Sequence, residues 1–294
     1  MNGVVTALVQ ACTQAIVYIP LVMGGYITIS LMKLPDIALE SAFSFGAVSA
    51  YLFLSYASSF PGSLGVIGVL LLALSGGALV GYGATLLVQK LKFPHLLSSI
   101  VMVGCMQGFT LLMMGTSNRS LAGLPSFLQT NYFSEQSAML CIVTVVFVFC
   151  FLISRRQLGY ACAVYGINKK FFRYHRMDGA YVYTTGVIIA HALAGLSGYL
   201  FAQSNNFVDA TSGNGMVLLV VTCLIMGKLF IKKQRWAIFS PLCGVIFYLL
   251  IQQLLLKCGF DLKLFPLVQA LVIVAAVASH FQGLELHYND QLGV

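Results

Sequence analysis

The chain has 294 residues, 59% of them hydrophobic and 8% charged, with a mean hydropathy of +0.92 and a formal net charge of +8. Uncharged apolar runs of about 20 residues mark membrane-spanning helices, and continuous runs favour helices over the short alternating strands of a barrel. No stretch is long and polar enough for a separate soluble domain, so residues 1–294 read as one all-α polytopic membrane bundle.

Residues 1–32 carry no charged side chain. They lack the basic n-region and small-residue cleavage site of a signal peptide and exceed the length of its apolar core, so they read as a retained first span. About nine apolar segments can be marked, at roughly 4–31, 41–57, 63–89, 94–115, 138–154, 180–203, 214–231, 237–256 and 264–282. The second and seventh are short and read as broken, tilted or re-entrant.

The loops set the orientation. Lys90 and Lys92, six basic residues between 155 and 176, and Lys228, Lys232, Lys233 and Arg235 fall on one side under alternation. The positive-inside rule makes that side cytoplasmic and puts the N-terminus outside, with the loops 116–137 and 204–213. A net positive charge confined to short inter-span loops speaks against nucleic acid as a partner.

Small residues punctuate the spans. Gly77 and Gly81 stand at GxxxG spacing, and Ala190, Ala194 and Gly198 repeat every four residues. Such residues let helix backbones approach closely in lipid. The eight cysteines form no CxxC pair and read as small packing residues.

Several chemistries are missing from the sequence. Gly227-Lys228 lacks the upstream glycine and the following Ser or Thr of a phosphate loop, so the chain is not expected to hydrolyse ATP itself. There is no HExxH, and no catalytic or metal-ligating set is evident. His191 lies within the sixth segment, either as a packed histidine bonded to a neighbouring helix or as a functional intramembrane group. No pair of carboxylates lies within a span, and a proton relay would need such groups, so the driving energy is expected from a partner.

Four stretches carry polar groups in a recurring order. LPDIALESAFSFGAVSA (34–50) opens on a Pro-Asp break and then offers Ser41, Ser44 and Gly46. Asp36 either caps the helix that follows or belongs to a discontinuous helix lining a path. LVQKLKFPHLLSSIVMVGCMQGFTLLMMGTSNRSL (87–121) carries Ser98, Ser99 and Gln107. YGINKKFFRYHRMDG (165–179) is basic and aromatic between two apolar runs. The last, ALAGLSGYLFAQSNNFVDATSGNGMVLLVVTCLIMGK (192–228), is followed by DLKL at 261–264.

This ordered set resembles the permease subunits of bacterial ABC importers, in the branched-chain amino-acid and ribose permease superfamily, and most nearly the tryptophan/tyrosine-type permeases. The likeness rests on Pro35-Asp36 with Ser44-Phe45-Gly46-Ala47, on Leu96-Leu97 through Met114-Gly115 and Ser117-Asn118, on AHALAGLSGYLFAQSNNFVDATSGNGM (190–216), and on Asp261-Leu262-Lys263-Leu264. It is collinear over roughly residues 30–275. It departs at Ala163, near where the family has an Arg, and at Lys228, where the family often has a Glu.

The resemblance implies a multi-pass protein of the bacterial cytoplasmic (inner) membrane, working as two permease copies with an ABC ATPase subunit below and a periplasmic or lipoprotein substrate-binding protein above. ATP and Mg would belong to the ATPase, and this chain is expected to need no cofactor. The loop 155–179 would hold a coupling helix, with Gly166, Asn168, Lys169, Lys170, Phe171, Phe172 and Arg173 at the ATPase contact. Aromatic anchors with a charged rim suit such docking. Ser41, Ser44, Ser98, Gln107 and Gln203 are candidates for the translocation path, since polar groups on apolar helices turn toward protein or water. Asn118, Asn205, Asn206 and Asp209 are candidates for docking the binding protein. The solute would be a small amino acid, an aromatic one on the nearer resemblance. The rival readings are a secondary transporter or channel without an ATPase, a membrane enzyme, and a scaffold without transport.

Overall fold

In lipid an apolar segment has no water to satisfy its N–H and C=O groups, so it closes them internally as a helix. The computed structural model describes residues 2–56, 62–124, 134–231, 234–261, 264–275 and 278. In chain order it contains α1 (Asn2–Gly25), running into a π-helical turn at Tyr26–Leu31, then α2 (Leu39–Tyr56), α3 (Gly62–Lys90), α4 (His95–Met114) and β1 (Asn118–Ser120). There follow α5 (Glu135–Arg155), α6 (Gln157–Ile167), α7 (Lys170–Tyr174), α8 (Gly179–Asn205), β2 (Phe207–Asp209) and α9 (Met216–Phe230). A 3-10 turn at Gln234–Phe239 leads into α10 (Ser240–Lys257), and α11 covers Phe265–Ala275.

Six helices among the described residues are long and apolar enough to cross a membrane, not nine. They are the helix at Leu8–Leu31, α3, α4, α5, α8 and the helix at Trp236–Lys257. The difference is physical. Helix α9 has 15 residues, or about 22 Å at 1.5 Å per residue against a hydrocarbon core of about 30 Å. Helix α2 has 18 residues and carries Glu40 and several serines. Lys232 and Lys233, and the segment beyond 278, lie outside the described residues.

Helix α8 is the central post. Its span is 72% buried, against 17% for α4 and for α5. The small residues read from the sequence make this contact. Gly24 of α1 lies against the Ala190 carbonyl, Gly46 of α2 against Gly195, and Gly77 of α3 against the His191 carbonyl and Gly195. Gly198 lies against the Phe43 carbonyl, and Ser197 Oγ donates to the Val17 carbonyl at 2.6 Å. A Cβ at any of these glycines would press on backbone, which cannot swing aside as a side chain can.

Two features lie at opposite ends of α8. At its C-terminal end, β1 and β2 form a short antiparallel ribbon pairing Asn118 with Asp209, a strand pair not foreseen in an all-α reading. Next to its N-terminal end, Gln89 at the foot of α3 bonds the Ala180 carbonyl and the Thr184 hydroxyl. Gly166 packs on the backbone of Leu31 and Met32. The basic residues around 90 and between 155 and 176 therefore share one end of the bundle.

The packing predicts opposite signs for one substitution at two glycines. Gly198→Ala should lower the melting temperature of the purified chain, at a cost of about 1–3 kcal/mol from overpacking. Gly104→Ala, with nothing within 4 Å of the added carbon, should leave it unchanged or raise it by up to about 1 kcal/mol of helix propensity. Thermal unfolding in detergent reads both.

Candidate functional site

The chain breaks helical structure twice inside the bundle. After the π-helical turn, residues 33–37 are non-helical before α2 begins. Between β2 and α9, residues 210–215 form turns that end on Gly215, which caps α9 at φ 82°, a left-handed conformation that favours glycine. Gly25, at the end of α1, packs against both Leu39 and Val220. The starts of α2 and α9 thus sit at the level of the end of α1, within the bundle.

A helix start leaves free N–H groups and a partial positive charge. Glu40 answers this for α9. Its Oε1 accepts from the Gly215 N–H at 3.0 Å and from the Val217 N–H at 3.2 Å. Ser44 Oγ accepts from the Gly213 N–H at 2.9 Å and donates to the Glu40 carbonyl. One turn of α2 therefore holds the whole entry of α9.

Beside this junction lies a small cavity whose polar lining is Glu40, Ser41, Ser44, Gln107, Thr110 and Asn214, with Val103 and Ala210 as its apolar part. Three of the five residues proposed for the path, Ser41, Ser44 and Gln107, meet here. Ser41 Oγ donates to the Ala38 carbonyl at 2.9 Å. Ser98 lies elsewhere: it is buried and donates to the Ala84 carbonyl at 2.7 Å, joining α4 to α3. Gln203 is buried on the last turn of α8 and is not among the lining residues. Glu40, Thr110 and Asn214 were not singled out in the sequence. Glu40 was legible there as an acid four residues before Ser44, but its partners lie some 175 positions away in the chain.

The basic stretch folds as a compact hairpin cap. Asn168 ends α6, and its Oδ1 accepts from the Lys170 N–H at 3.0 Å, turning the chain into α7. Asp178 Oδ1 accepts from the Ala180 and Tyr181 N–H groups and starts α8. The two phenylalanines part company. Phe172 is 2% exposed, packed on Tyr165 and Gly179, whereas half-buried Phe171 stacks on His175 at 4.1 Å. Gly166 is taken up by the contact with Leu31 and Met32.

Lys169, Lys170 and Arg173 are exposed. Lys169 Nζ stands 5.3 Å from the centre of the Tyr165 ring, whose hydroxyl burial pushes up, so the cation faces a neutral ring. Beside them opens a groove of about 790 Å³ whose lining includes Tyr160, Val164, Phe171, Met177 and Tyr181. Tyr160, Met177 and Tyr181 were not read from the sequence as part of this surface. Ala163 is half-buried on α6, and Lys228 is exposed in the last turn of α9.

The four outer candidates gather at the ribbon and the adjoining end of α8. Asn118 pairs with Asp209 across the strands. Asn206 caps α8 in the left-handed region, and its carbonyl accepts from the Leu121 N–H. Asn205 Nδ2 donates to the Phe201 carbonyl, and Asp209 Oδ1 holds the turn at Thr211. Asn118, Asn205 and Asn206 are exposed. Among the described residues no group of three or more His, Cys, Asp or Glu is arranged to hold a metal ion. Asp36, His95 and His191, far apart in sequence, converge in the interior.

An apolar bundle with interrupted helices, a polar cavity at the interruptions and a basic cap at one end is the build of a multi-pass transport permease. The family model for the branched-chain amino acid transport system permease component matches residues 7–277, and the chain belongs to that family of ABC transporter permeases of the bacterial inner membrane. It is similar over 288 residues to the tyrosine transport system permease protein of Clostridioides difficile (strain R20291), at 26% identity covering 95% of this chain and 92% of the relative. An uncharacterized protein of Rickettsia prowazekii (strain Madrid E) is 24% identical, covering 95% of this chain and 98% of its own. The autoinducer 2 import system permease protein LsrC of Escherichia coli (strain SMS-3-5 / SECEC) is 23% identical, covering 83% and 70%. No solved structure matches significantly.

The junction yields a prediction. Glu40→Gln removes the charge and keeps the size, so the α9 start loses a charge-assisted acceptor. It should cost about 1–3 kcal/mol, read as a lower melting temperature. Ser41→Ala, which removes a bond within the first turn of α2, should cost about 1 kcal/mol or less.

Proposed function

We propose that this chain is the membrane-spanning subunit of an ATP-driven importer, forming the path for a small amino acid, with aromatic amino acids as the first candidates. Membership of the permease family supports the transport role, and the printed names of two relatives, a tyrosine permease and an import permease, support its direction and class. ATP hydrolysis would reside in a separate subunit with its own ATP and Mg, since this sequence holds no phosphate loop. A second permease copy would complete the path, and a substrate-binding protein would dock on the ribbon carrying Asn118, Asn205, Asn206 and Asp209.

The observation that carries this reading is the cap at α6–α7. Its exposed cations and apolar groove sit on a frame tied to the end of the π-helical turn after α1 through Gly166 and to the start of α8 through Asp178. A push on α7 by an ATPase would be passed to α1 and α8, and through α8 to the helices that enclose the polar cavity. Lys169, Lys170 and Arg173 would form the charged rim of that contact and Phe171 its apolar anchor, with Phe172 holding the cap to its own bundle. The binding protein would select the solute, and the cavity would need only to pass it. A carrier without an ATPase is the rival, and the buried cluster of Asp36, His95 and His191 is the observation that favours it.

Affinity purification of the tagged chain from its native membrane in mild detergent separates the two. The parent should bring down an ATPase with a phosphate-loop motif, and Arg173→Ala with Phe171→Ala should lose most of it while the chain's melting temperature holds. Phe172→Ala should instead cost about 3–5 kcal/mol of stability, as for a buried aromatic. A parent that carries no ATPase contradicts the importer.

A further inference from the structure

We propose that His191 and Asp36 hold one buried proton between them, and that this bound proton fastens the non-helical segment before α2 to the middle of α8. Nothing in the permease reading requires such a site. It rests on the chemistry of three side chains.

Asp36 and His191 are buried, with side chains 0% exposed, and His191 Nε2 lies 3.6 Å from Asp36 Oδ1. His191 Nδ1 lies 2.8 Å from the Val187 carbonyl. A carbonyl only accepts, so Nδ1 carries the hydrogen. A neutral His191 would then present the bare lone pair of Nε2 to a carboxylate oxygen, acceptor against acceptor, in an interior without solvent. The arrangement is attractive only when Nε2 is also protonated or the carboxylate takes up the proton. Either way the pair binds one proton; Asp36 Oδ1 already accepts from the Ala38 N–H, which favours the ionised carboxylate and places the proton on His191.

His95 has a different role. Its Nδ1 lies 2.7 Å from the Tyr183 hydroxyl, which can donate to it. With the hydrogen of a neutral ring on Nε2, His95 can face Asp36 Oδ2 at 3.8 Å as a donor without an extra proton. The other titratable groups around the pair are Tyr183 and, against its ring, Tyr165. Lys33 shares the segment but is exposed. Helix α3 faces His191 with Gly81, where a Cβ would stand 2.9 Å from His191 Cβ, so no charge comes from that side. Asp36 Oδ2, His95 Nε2 and His191 Nε2 are all buried without a hydrogen-bond partner, and a proton on His191 Nε2 turns that atom from an acceptor facing a carboxylate into a donor aimed at Asp36 Oδ1.

The segment matters to the path. Asp36 Oδ1 accepts from the Ala38 N–H, and four residues on stands Glu40, which holds α9. Releasing Asp36 from α8 would free the start of α2, and with it one wall of the polar cavity.

The test uses the full chain in detergent, labelled with ¹⁵N-histidine, with the His191 signals assigned by their loss in His191→Gln. At neutral pH the parent should show both ring nitrogens of His191 protonated and His95 protonated on one only. His95→Gln should leave the His191 signature in place, and Asp36→Asn should convert His191 to a ring protonated on one nitrogen. A parent His191 protonated on Nδ1 alone, or one unchanged by Asp36→Asn, overturns the proposal. If Asp36→Asn does not fold, the parent and His95→Gln spectra still decide.

Discussion

A helix that begins inside a bilayer must find acceptors for its first N–H groups without water. Helix α9 begins within the bundle, and its acceptor is the carboxylate of Glu40, on the first turn of another helix that also begins there. This one exchange lets two helices start within the bundle with their first N–H groups answered. It also explains the polar cavity. Where helices start, backbone dipoles and hydroxyls converge, and Ser41, Ser44 and Gln107 do so here. The carboxylate that stabilises the break therefore also gives the cavity its polarity.

The rest of the bundle holds that junction in place. Helix α8 is nearly enclosed because glycines on α1, α2 and α3 bring their backbones against it. Close packing without side chains transmits displacement, since backbone cannot be squeezed as a flexible side chain can. The cap at α6–α7 is fixed to the start of the same post and to the end of the π-helical turn that follows α1. Cap, post and cavity form a continuous mechanical chain, which is what a transport subunit moved from one end by an ATPase would need.

Much of this was legible from the residues. Hydropathy gave the membrane class, and the spacing of Gly77, Gly81, Ala190, Ala194 and Gly198 marked the faces that pack. The Pro35-Asp36 break announced an interrupted helix, and the basic aromatic stretch at 165–179 stood out against an oily chain. What failed was what depends on three dimensions. Hydropathy counts apolar residues but not helix length, so α2 and α9, already read as short segments, stood in the count beside the six helices long and apolar enough to cross a membrane. Phe171 and Phe172 are neighbours with the same side chain, and only the fold shows that one turns inward. The convergence of Asp36, His95 and His191 spans 155 residues of sequence, and no local pattern joins them. Glu40 was visible as a lone acid, but its purpose is set by Gly215 and Val217.

The central claim is that solute passes the polar cavity where α2 and α9 begin. It is tested most directly by thiol accessibility in native membranes, in a background with the eight native cysteines replaced. A cysteine at Gln107, on the cavity wall, should react with a small membrane-impermeant thiol reagent, and solute with its binding protein should slow that reaction. A cysteine at Ser98, sealed between α3 and α4, should stay unreactive. An unreactive Gln107 cysteine, or a Ser98 cysteine that reacts as fast, would place the path elsewhere.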